Sequence, residues 1–365
     1  MADISKLREK IDAIDCELIK LFKERMNVSN DIAEYKREHG LPVYDGKREQ
    51  EVIKDRVLSA PKEYSVYVEQ LMRLIVDLSK HLQNGSGDNE KIKFDVSGKV
   101  AFQGIRGAYS EEALIGFFED NVKTKPVAEF EDVFISVLKG ETQYGIIPVE
   151  NSASGSVIQS YDLLNKYDVY VVGEYILPIR HALLGIPGAD LSLIKEVFSH
   201  EQGLMQCSDF LSEHKEWIKT PKSNTAISAK YVADLKDKSK AAIASRYAGK
   251  IYGLSVLKDN ISNTLNNVTR FFIIGAKANE KGFNKASILF SLKHETGSLA
   301  KALTLIAAKG YNLTKIESRP ILGQNWHYRF YVDLEGNLAK LSTSIKEMEE
   351  YCTDIKVLGV YSKMR

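Results

Sequence analysis

The sequence predicts a multidomain protein with an all-α N-terminal segment, a two-lobed α/β middle and a small α+β tail. Three observations carry this. Apolar residues in the first forty positions recur at alternating three- and four-residue spacing. From Lys99 to Gly275 the chain changes to short apolar runs, each ending in a Gly, Ser or Asn loop that opens a helical stretch. After Ala286 the runs fall in the order βαββαβ. At 365 residues the chain also exceeds one ordinary core.

Ile4, Leu7, Ile11, Ile14, Leu18, Leu21, Val28, Ile32 and Tyr35 form the seam of one long amphipathic helix that ends near Gly40-Leu41-Pro42. At 1.5 Å per residue it is roughly 55 Å long. That exceeds the span of so small a segment, so the seam is expected to be buried against a second chain in an intertwined homodimer. A second helix starts near Asp45 and a third covers Glu63 to Gln83, which completes a helical domain over 1–84. Asn84-Gly85-Ser86-Gly87-Asp88-Asn89 is small and polar, and places a linker over 85–98. In the α/β domain, 99–275, strands are expected at Val100–Phe102, Tyr144–Ile147, Val169–Val172, Glu196–Phe198, Ala241–Ala244 and Phe271–Ile274. The tail, 286–365, reads strand 286–292, helix 298–309, strand 313–318, strand 327–334, helix 338–351 and strand 355–360, the ferredoxin-like plan.

With 50 basic and 49 acidic residues and no pole of charge, nothing points to a nucleic-acid or anionic membrane surface, and the expected partners are small molecules. Cys16, Cys207 and Cys352 are odd in number and scattered. They argue against a disulfide framework and for a reducing compartment, and none has a metal-ligand neighbour pattern. The N-terminus has no apolar signal region and no run reaches transmembrane length, so the expected location is cytoplasmic.

Within the first helix, the seam position between Leu21 and Val28 is Arg25, a cation where the pattern demands an apolar residue. Two readings are open: a register-setting residue paired across the dimer, or one wall of an anion pocket. Arg8 and Lys36 lie near the same face, Arg48-Glu49 opens the next helix, and Ser79 and Gln83 share a face one turn apart. Converging cations favour a pocket for a small polyanion. Leu7-Arg8-Glu9-Lys10-Ile11-Asp12, Glu24-Arg25, Lys36, Asp45, Arg48-Glu49, Ser79 and Gln83 resemble the all-helical chorismate mutases. The resemblance implies that Arg25 and a partner chain's Arg8 clamp two carboxylates with support from Arg48. Lys36 and Gln83 would bond the ether oxygen, while Asp45, Glu49 and Ser79 would hold the substrate hydroxyl and its neighbours.

Four loops stand out in the middle segment: Gly104-Ile105-Arg106-Gly107-Ala108-Tyr109-Ser110, Pro148 to Ser156, Ser199-His200-Glu201-Gln202, and Asn267-Val268-Thr269-Arg270-Phe271. Strand ends of an α/β sheet are where ligands sit, and open helix starts leave N–H groups for anions. Taken singly, Ser110 and Ser156 read as plain caps, His200 as structural, and Arg270 as either a carboxylate clamp or a lobe-bridging ion pair. No GKS or GKT motif or dinucleotide fingerprint is present. Glu150-Asn151-Ser152-x-x-Gly155-Ser156 and Thr269-Arg270-Phe271 resemble prephenate dehydratase. That resemblance implies Thr269 at the leaving hydroxyl, Glu150 as a second catalytic group, and Asn151, Ser152 and Arg270 as substrate contacts.

In the tail, Glu317-Ser318-Arg319-Pro320 and Gly297-Ser298-Leu299-Ala300 resemble the ACT regulatory domain of dehydratases that sense L-phenylalanine. This implies an effector site at Gly297, Leu299, Glu317, Ser318 and Arg319, with a local Arg319–Glu317 pair as the plainer alternative. The three resemblances stand in the order of the bifunctional chorismate mutase/prephenate dehydratases, and imply passage of chorismate through prephenate to phenylpyruvate without cofactor or metal, as a homodimer or a homotetramer. Two rivals are an enzyme in which the helical arm only dimerises, and a two-lobed protein that binds an anion without turning it over. The set Arg8, Arg25, Lys36, Arg48, Glu49 and Gln83 speaks against the first, and the Glu150 and Thr269 loops against the second.

Overall fold

The computed structural model describes residues 4–39, 46–85, 94, 96–119, 122–264, 266–279, 283–321, 323–324, 326–338 and 341–362, with the backbone alone at 37–38, 46–47, 49–50, 73, 77–78 and 80–85. The chain divides into two compact units, Met1–Phe94 and Asp95–Arg365.

The first unit is helical: α1 (Ile4–Glu38), α2 (Gly46–Ser59) and α3 (Ser65–Gly85). Pro61 stops α2, because it cannot continue the helical ladder, and instead caps the short turn Lys62–Tyr64 that leads into α3. The core is thin. Met26, Ala33, Ile53 and Val76 are buried, whereas Ile4, Leu7, Ile11, Ile14, Leu18 and Leu21 stay exposed, Ile11 by 57%. Val28, Ile32 and Tyr35 are exposed as well, so the whole expected seam of α1 is uncovered within the chain, and the α1 positions that pack are Met26, Ser29 and Ala33.

The second unit begins β1 (Lys99–Gln103), α4 (Tyr109–Phe118), β2 (Lys123–Val127), α5 (Phe130–Leu138), β3 (Tyr144–Asn151), β4 (Gly155–Ser156), α6 (Ile158–Lys166) and β5 (Tyr170–Pro178). The chain then crosses into a second lobe of β6 (Ala182–Gly185), β7 (Glu196–His200), α7 (Glu201–Gln206), α8 (Ser208–Ser212), β8 (Ile218–Lys222), α9 (Thr225–Leu235), β9 (Lys240–Ala244), α10 (Arg246–Tyr252) and β10 (Ser255–Lys258). It returns as β11 (Val268–Gly275). Strand order is β2-β1-β3-β11-β5 in the first sheet and β10-β6-β9-β7-β8 in the second. Two segments, 179–181 and 259–267, thus join the lobes.

All six expected strands form, and the structure adds β2, β4, β6, β8 and β10. The reason for the omission is clearest for β2 (KTKPV) and β8 (IKTPK), which are polar, carry Pro126 and Pro221, and lie at sheet edges. An edge tolerates proline because one side of the strand donates nothing to a ladder.

The tail forms β12 (Lys285–Leu292), α11 (Ser298–Ala308), β13 (Asn312–Pro320), β14 (Tyr328–Glu335), α12 (Leu341–Met348) and β15 (Cys352–Tyr361), with sheet order β13-β14-β12-β15. Ile288, Phe290, Ala302, Ile306, Leu334 and Leu341 pack under the two helices. The opposite face does not stand apart from the first lobe: Leu289, Tyr331, Leu358 and Tyr361 share one cluster with Val133, Phe134, Leu164 and Phe272. Strand β15 also packs on β5. Asn279 Nδ2 donates to the carbonyls of Val172 and Val360, each at 2.8 Å, and at Gly359 a Cβ would lie 2.0 Å from the Val171 carbonyl oxygen. A Gly359→Ala chain is expected to lose about 3 kcal/mol by overpacking against unyielding backbone, read as a lowered urea midpoint for the second unit.

Candidate active site

In the helical unit, Arg25 Nη1 donates to Ser79 Oγ at 2.5 Å, and that hydroxyl donates to the Ile75 carbonyl at 2.7 Å. Burial pulls the Arg25 guanidinium below its ordinary pKa. Arg25 and Ser79, on α1 and α3, are therefore brought together as the sequence implied. Lys36 is half-buried on the same helix, and Arg48 on α2 lies 3.8 Å from Glu51. Arg8 is exposed and sits about 25 Å along α1 from Arg25 at 1.5 Å per residue, out of reach within one chain. Asp45 and the side chains of Glu49 and Gln83 lie outside the described residues.

In the second unit the site forms where β3 and β11 run antiparallel, with Thr269 opposite Asn151 and Arg270 opposite Glu150. This pairing explains why a motif at the start of β11 meets a loop at the end of β3. Side chains alternate along a strand, so the two pairs face opposite ways. Thr269, only 9% exposed, accepts from Asn151 Nδ2 at 2.9 Å. Asn151 Nδ2 also donates to Asn267 Oδ1 at 2.7 Å, and Asn267 Nδ2 lies 3.3 Å from Gln206 Oε1 in the second lobe. The face of Thr269 and Asn151 is thus the one turned to the lobe junction. Ser152 Oγ accepts from the Val268 amide at 3.0 Å, tying the loop to β11. Tyr252 Oη, from the second lobe, donates to the Arg106 carbonyl at 2.5 Å. Beside it Gly107 has φ +86°, and a Cβ there would stand 3.1 Å from the Tyr252 ring and 3.2 Å from the Ala248 Cα. The first loop can approach the second lobe because that position carries no side chain.

The opposite face corrects two expectations. Arg270 does not line the Thr269 face: its Nε bonds Glu174 Oε2 at 2.7 Å, Nη1 bonds Asp333 Oδ2 at 2.5 Å and Nη2 bonds Tyr361 Oη at 3.0 Å. It is the bridging ion pair, joining the first sheet to the tail sheet rather than one lobe to the other. Glu150 likewise pairs with Lys315 Nζ of β13 at 2.9 Å, with Arg270 Nη1 at 4.0 Å, so its carboxylate is turned to the tail sheet. Strand alternation puts both on the reverse side. Lys285 Nζ completes the seam, reaching both Glu174 oxygens at 3.0 and 2.9 Å, and Ser287 Oγ lies 2.7 Å from Tyr361 Oη. Burial alone would lower the Arg270 pKa, but Asp333, Tyr361 and Glu174 carry it above the ordinary arginine value.

Other sequence candidates divide. His200 caps α7, its Nδ1 accepting from the Gln202 amide at 3.2 Å. Ser110 lies inside the first turn of α4, whose cap is Ala108. Ser156 donates to Glu317 Oε2 at 2.8 Å. Arg319 pairs with Asp162 of α6 at 3.5 Å and not locally with Glu317. The ends of β12 and β13 and the start of β14 share one edge of the tail sheet, through Ser291↔Arg329 and Arg319↔Arg329. Gly297, in the left-handed region at φ +83°, starts α11 just beyond that edge, so Gly297 and Leu299 lie at the same end of the sheet as Glu317, Ser318 and Arg319. Sequence reasoning missed Gln206, His181, Glu174, Asp333 and Tyr361. Only Asn267, inside the quoted Thr269 motif, had a local signal.

A two-lobed α/β unit with a hydroxyl held at the lobe junction, preceded by a helical unit with a half-buried arginine and continued by a βαββαβ tail, defines a multidomain class with more than one polar site. Family models match along the chain, chorismate mutase type II over residues 7–84 and prephenate dehydratase over residues 100–279. The chain belongs to the bifunctional chorismate mutase/prephenate dehydratase family. It is 33% identical over 369 residues to the protein of that name from Aquifex aeolicus, covering 100% of this chain and 99% of the relative. Identity to the Escherichia coli K12 protein of that name is 33% over 368 residues, covering 97% and 95%. Among solved structures, a prephenate dehydratase from Arthrobacter aurescens in complex with L-Phe superposes with a TM-score of 0.65 at 27% identity, covering 73% of this chain and 90% of that one. Among the described residues no helix is long and apolar enough to cross a membrane, and no group of three acidic, His or Cys side chains is placed to hold a metal ion.

Proposed function

We propose that the helical unit rearranges chorismate to prephenate and that the α/β unit converts prephenate to phenylpyruvate, with L-phenylalanine acting through the tail. The single observation that carries this is the occurrence of both family matches on one chain whose length is that of its relatives.

The rearrangement is unimolecular and needs no nucleophile or proton relay, so the protein has to hold a compact conformer and stabilise charge developing on the ether oxygen. Arg25, braced by Ser79, is assigned to a carboxylate, and Lys36 and Gln83 to the ether oxygen. Arg48 is assigned to support the carboxylate clamp, and Asp45 and Glu49 to the substrate hydroxyl and its neighbours. Arg8 is assigned to the active site of a second copy, whose long helix would cover the exposed α1 seam as a homodimer. A Lys36→Ala chain is expected to lose mutase kcat by about 10²-fold with a smaller change in KM. Initial rates of chorismate loss measure this, and near-normal turnover would remove Lys36 from the role.

Dehydration consumes one proton and releases water and CO2 as the ring becomes aromatic. Thr269 is assigned to the leaving hydroxyl. An aliphatic alcohol is too weak an acid to supply the net proton, so the hydroxyl acts as a hydrogen-bond donor whose partner gains charge as the C–O bond breaks. For the tail, the βαββαβ order and the meeting of Gly297, Leu299, Glu317, Ser318 and Arg319 at one end of the sheet support an ACT-type effector site. The purified chain, given chorismate with and without L-phenylalanine, tests the whole reading. Phenylpyruvate formation suppressed by phenylalanine is the expected result. Accumulation of prephenate would overturn the central assignment, and unchanged chorismate would overturn the helical one.

A further inference from the structure

Asn151 Oδ1 accepts from two backbone amides, Ala153 and Ser154, each at 3.0 Å. An N–H can only donate, so the side-chain amide of Asn151 has one possible orientation, with its nitrogen toward Thr269 and Asn267. Donor and acceptor order then propagates. Asn267 Oδ1 accepts from Asn151, which turns Asn267 Nδ2 toward Gln206 Oε1. The same Gln206 oxygen lies 2.9 Å from His181 Nε2, and as an acceptor it requires a hydrogen on that nitrogen. His181 is 3% exposed, and burial lowers its pKa, which favours the neutral ring. Nδ1 is then bare and lies 2.9 Å from the Tyr109 hydroxyl, whose one hydrogen it shares with the Arg180 carbonyl at 3.0 Å.

We infer that His181 is a positioning residue for dehydration: through Gln206, Asn267 and Asn151 it fixes which way the Thr269 hydroxyl points. The reason lies at the end of the chain. Asn151 Nδ2 can only donate, its two hydrogens facing Asn267 Oδ1 at 2.7 Å, Thr269 Oγ1 at 2.9 Å and the Val268 carbonyl at 3.1 Å, so Thr269 Oγ1 is the acceptor in that bond and its one hydrogen is left for the substrate's leaving hydroxyl. Tyr109 and Asn151 come from the first lobe, and His181 and Gln206 from the crossing segment and the second lobe. The order is therefore complete only while the lobes are held together. His181 is itself seated between the two crossing segments, its carbonyl accepting from the Ile261 amide at 3.0 Å. This inference rests on the assignment of Thr269 to the leaving group.

The test is a double-mutant cycle in the full chain, with prephenate turnover as the readout. Thr269→Ala alone, His181→Phe alone and the pair are compared, with the urea midpoint of the second unit as the control for its folding. His181→Phe is expected to lower kcat about 10-fold with KM changed less than about 3-fold, and to cost almost nothing once Thr269 is alanine, since no hydroxyl remains to be oriented. A purely structural lesion would multiply with Thr269→Ala. Multiplying losses, or a His181→Phe kcat within about 2-fold of the parent, overturn the proposal. A neutral Thr269→Ala would overturn the Thr269 assignment and this inference with it. If His181→Phe fails to fold, Tyr109→Phe takes its place. It removes the hydroxyl shared by His181 Nδ1 and the Arg180 carbonyl and is held to the same criteria, a kcat loss that vanishes in the Thr269→Ala background.

Discussion

Thr269→Ala is expected to reduce prephenate turnover on the order of 10²- to 10³-fold, the usual cost of removing one preorganised donor to a developing negative charge. Chorismate rearrangement should be unchanged, because Thr269 belongs to the Asp95–Arg365 unit and the assigned mutase groups to the other. The loss should fall in kcat with little change in KM, since the bond strengthens only as the hydroxyl departs. Single-turnover formation of phenylpyruvate from prephenate measures it. A loss confined to KM would mean that Thr269 only binds the ground state.

Arg270→Ala is expected to destabilise the second unit by about 3–5 kcal/mol, the cost of stranding buried partners of an ion pair. Of two nearly inaccessible carboxylates, Glu174 would keep Lys285, and Asp333 would lose the arginine that pairs with it. Urea unfolding followed by far-ultraviolet circular dichroism should show this as an early transition for residues 95–365, with the helical unit melting at its own midpoint. The control is Arg246→Ala. That residue makes a two-pronged bond to Asp259 at 2.7 and 2.6 Å on the exposed surface, and an exposed pair of this kind is worth about 1 kcal/mol or less. Equal losses from the two substitutions would refute the special standing of the seam.

The long helix, the βαββαβ tail and the six principal strands were legible because each rests on apolar periodicity, which reports burial directly. The polar edge strands β2 and β8 were not, because an edge buries little and its pattern is that of a loop. The candidate site was half legible. Thr269, Asn151 and Ser152 sit in short contiguous motifs, and the sequence placed them together. Arg270 and Glu150 sit in the same motifs, yet their side chains turn the other way: which side of a strand carries the site depends on what covers the other side, and here that is the tail sheet, whose partners Asp333 and Lys315 have no local spacing to either motif. His181 and Gln206 are joined to Thr269 by contacts spanning tens to over a hundred residues, with no local spacing to reveal them.

Thr269 and Arg270 are consecutive residues on β11, one turned to the reaction and the other anchored in the sheet that carries the proposed effector site. Whatever an effector does to that sheet has one peptide unit to travel before it reaches the reacting group. Thermodynamic linkage makes such an arrangement two-way: if phenylalanine weakens prephenate binding by some factor, prephenate must weaken phenylalanine binding by the same factor. A filled active site would then resist inhibition. The level of effector needed to stop flux would rise with the supply of intermediate, so the chain would respond to the ratio of product to precursor rather than to product alone.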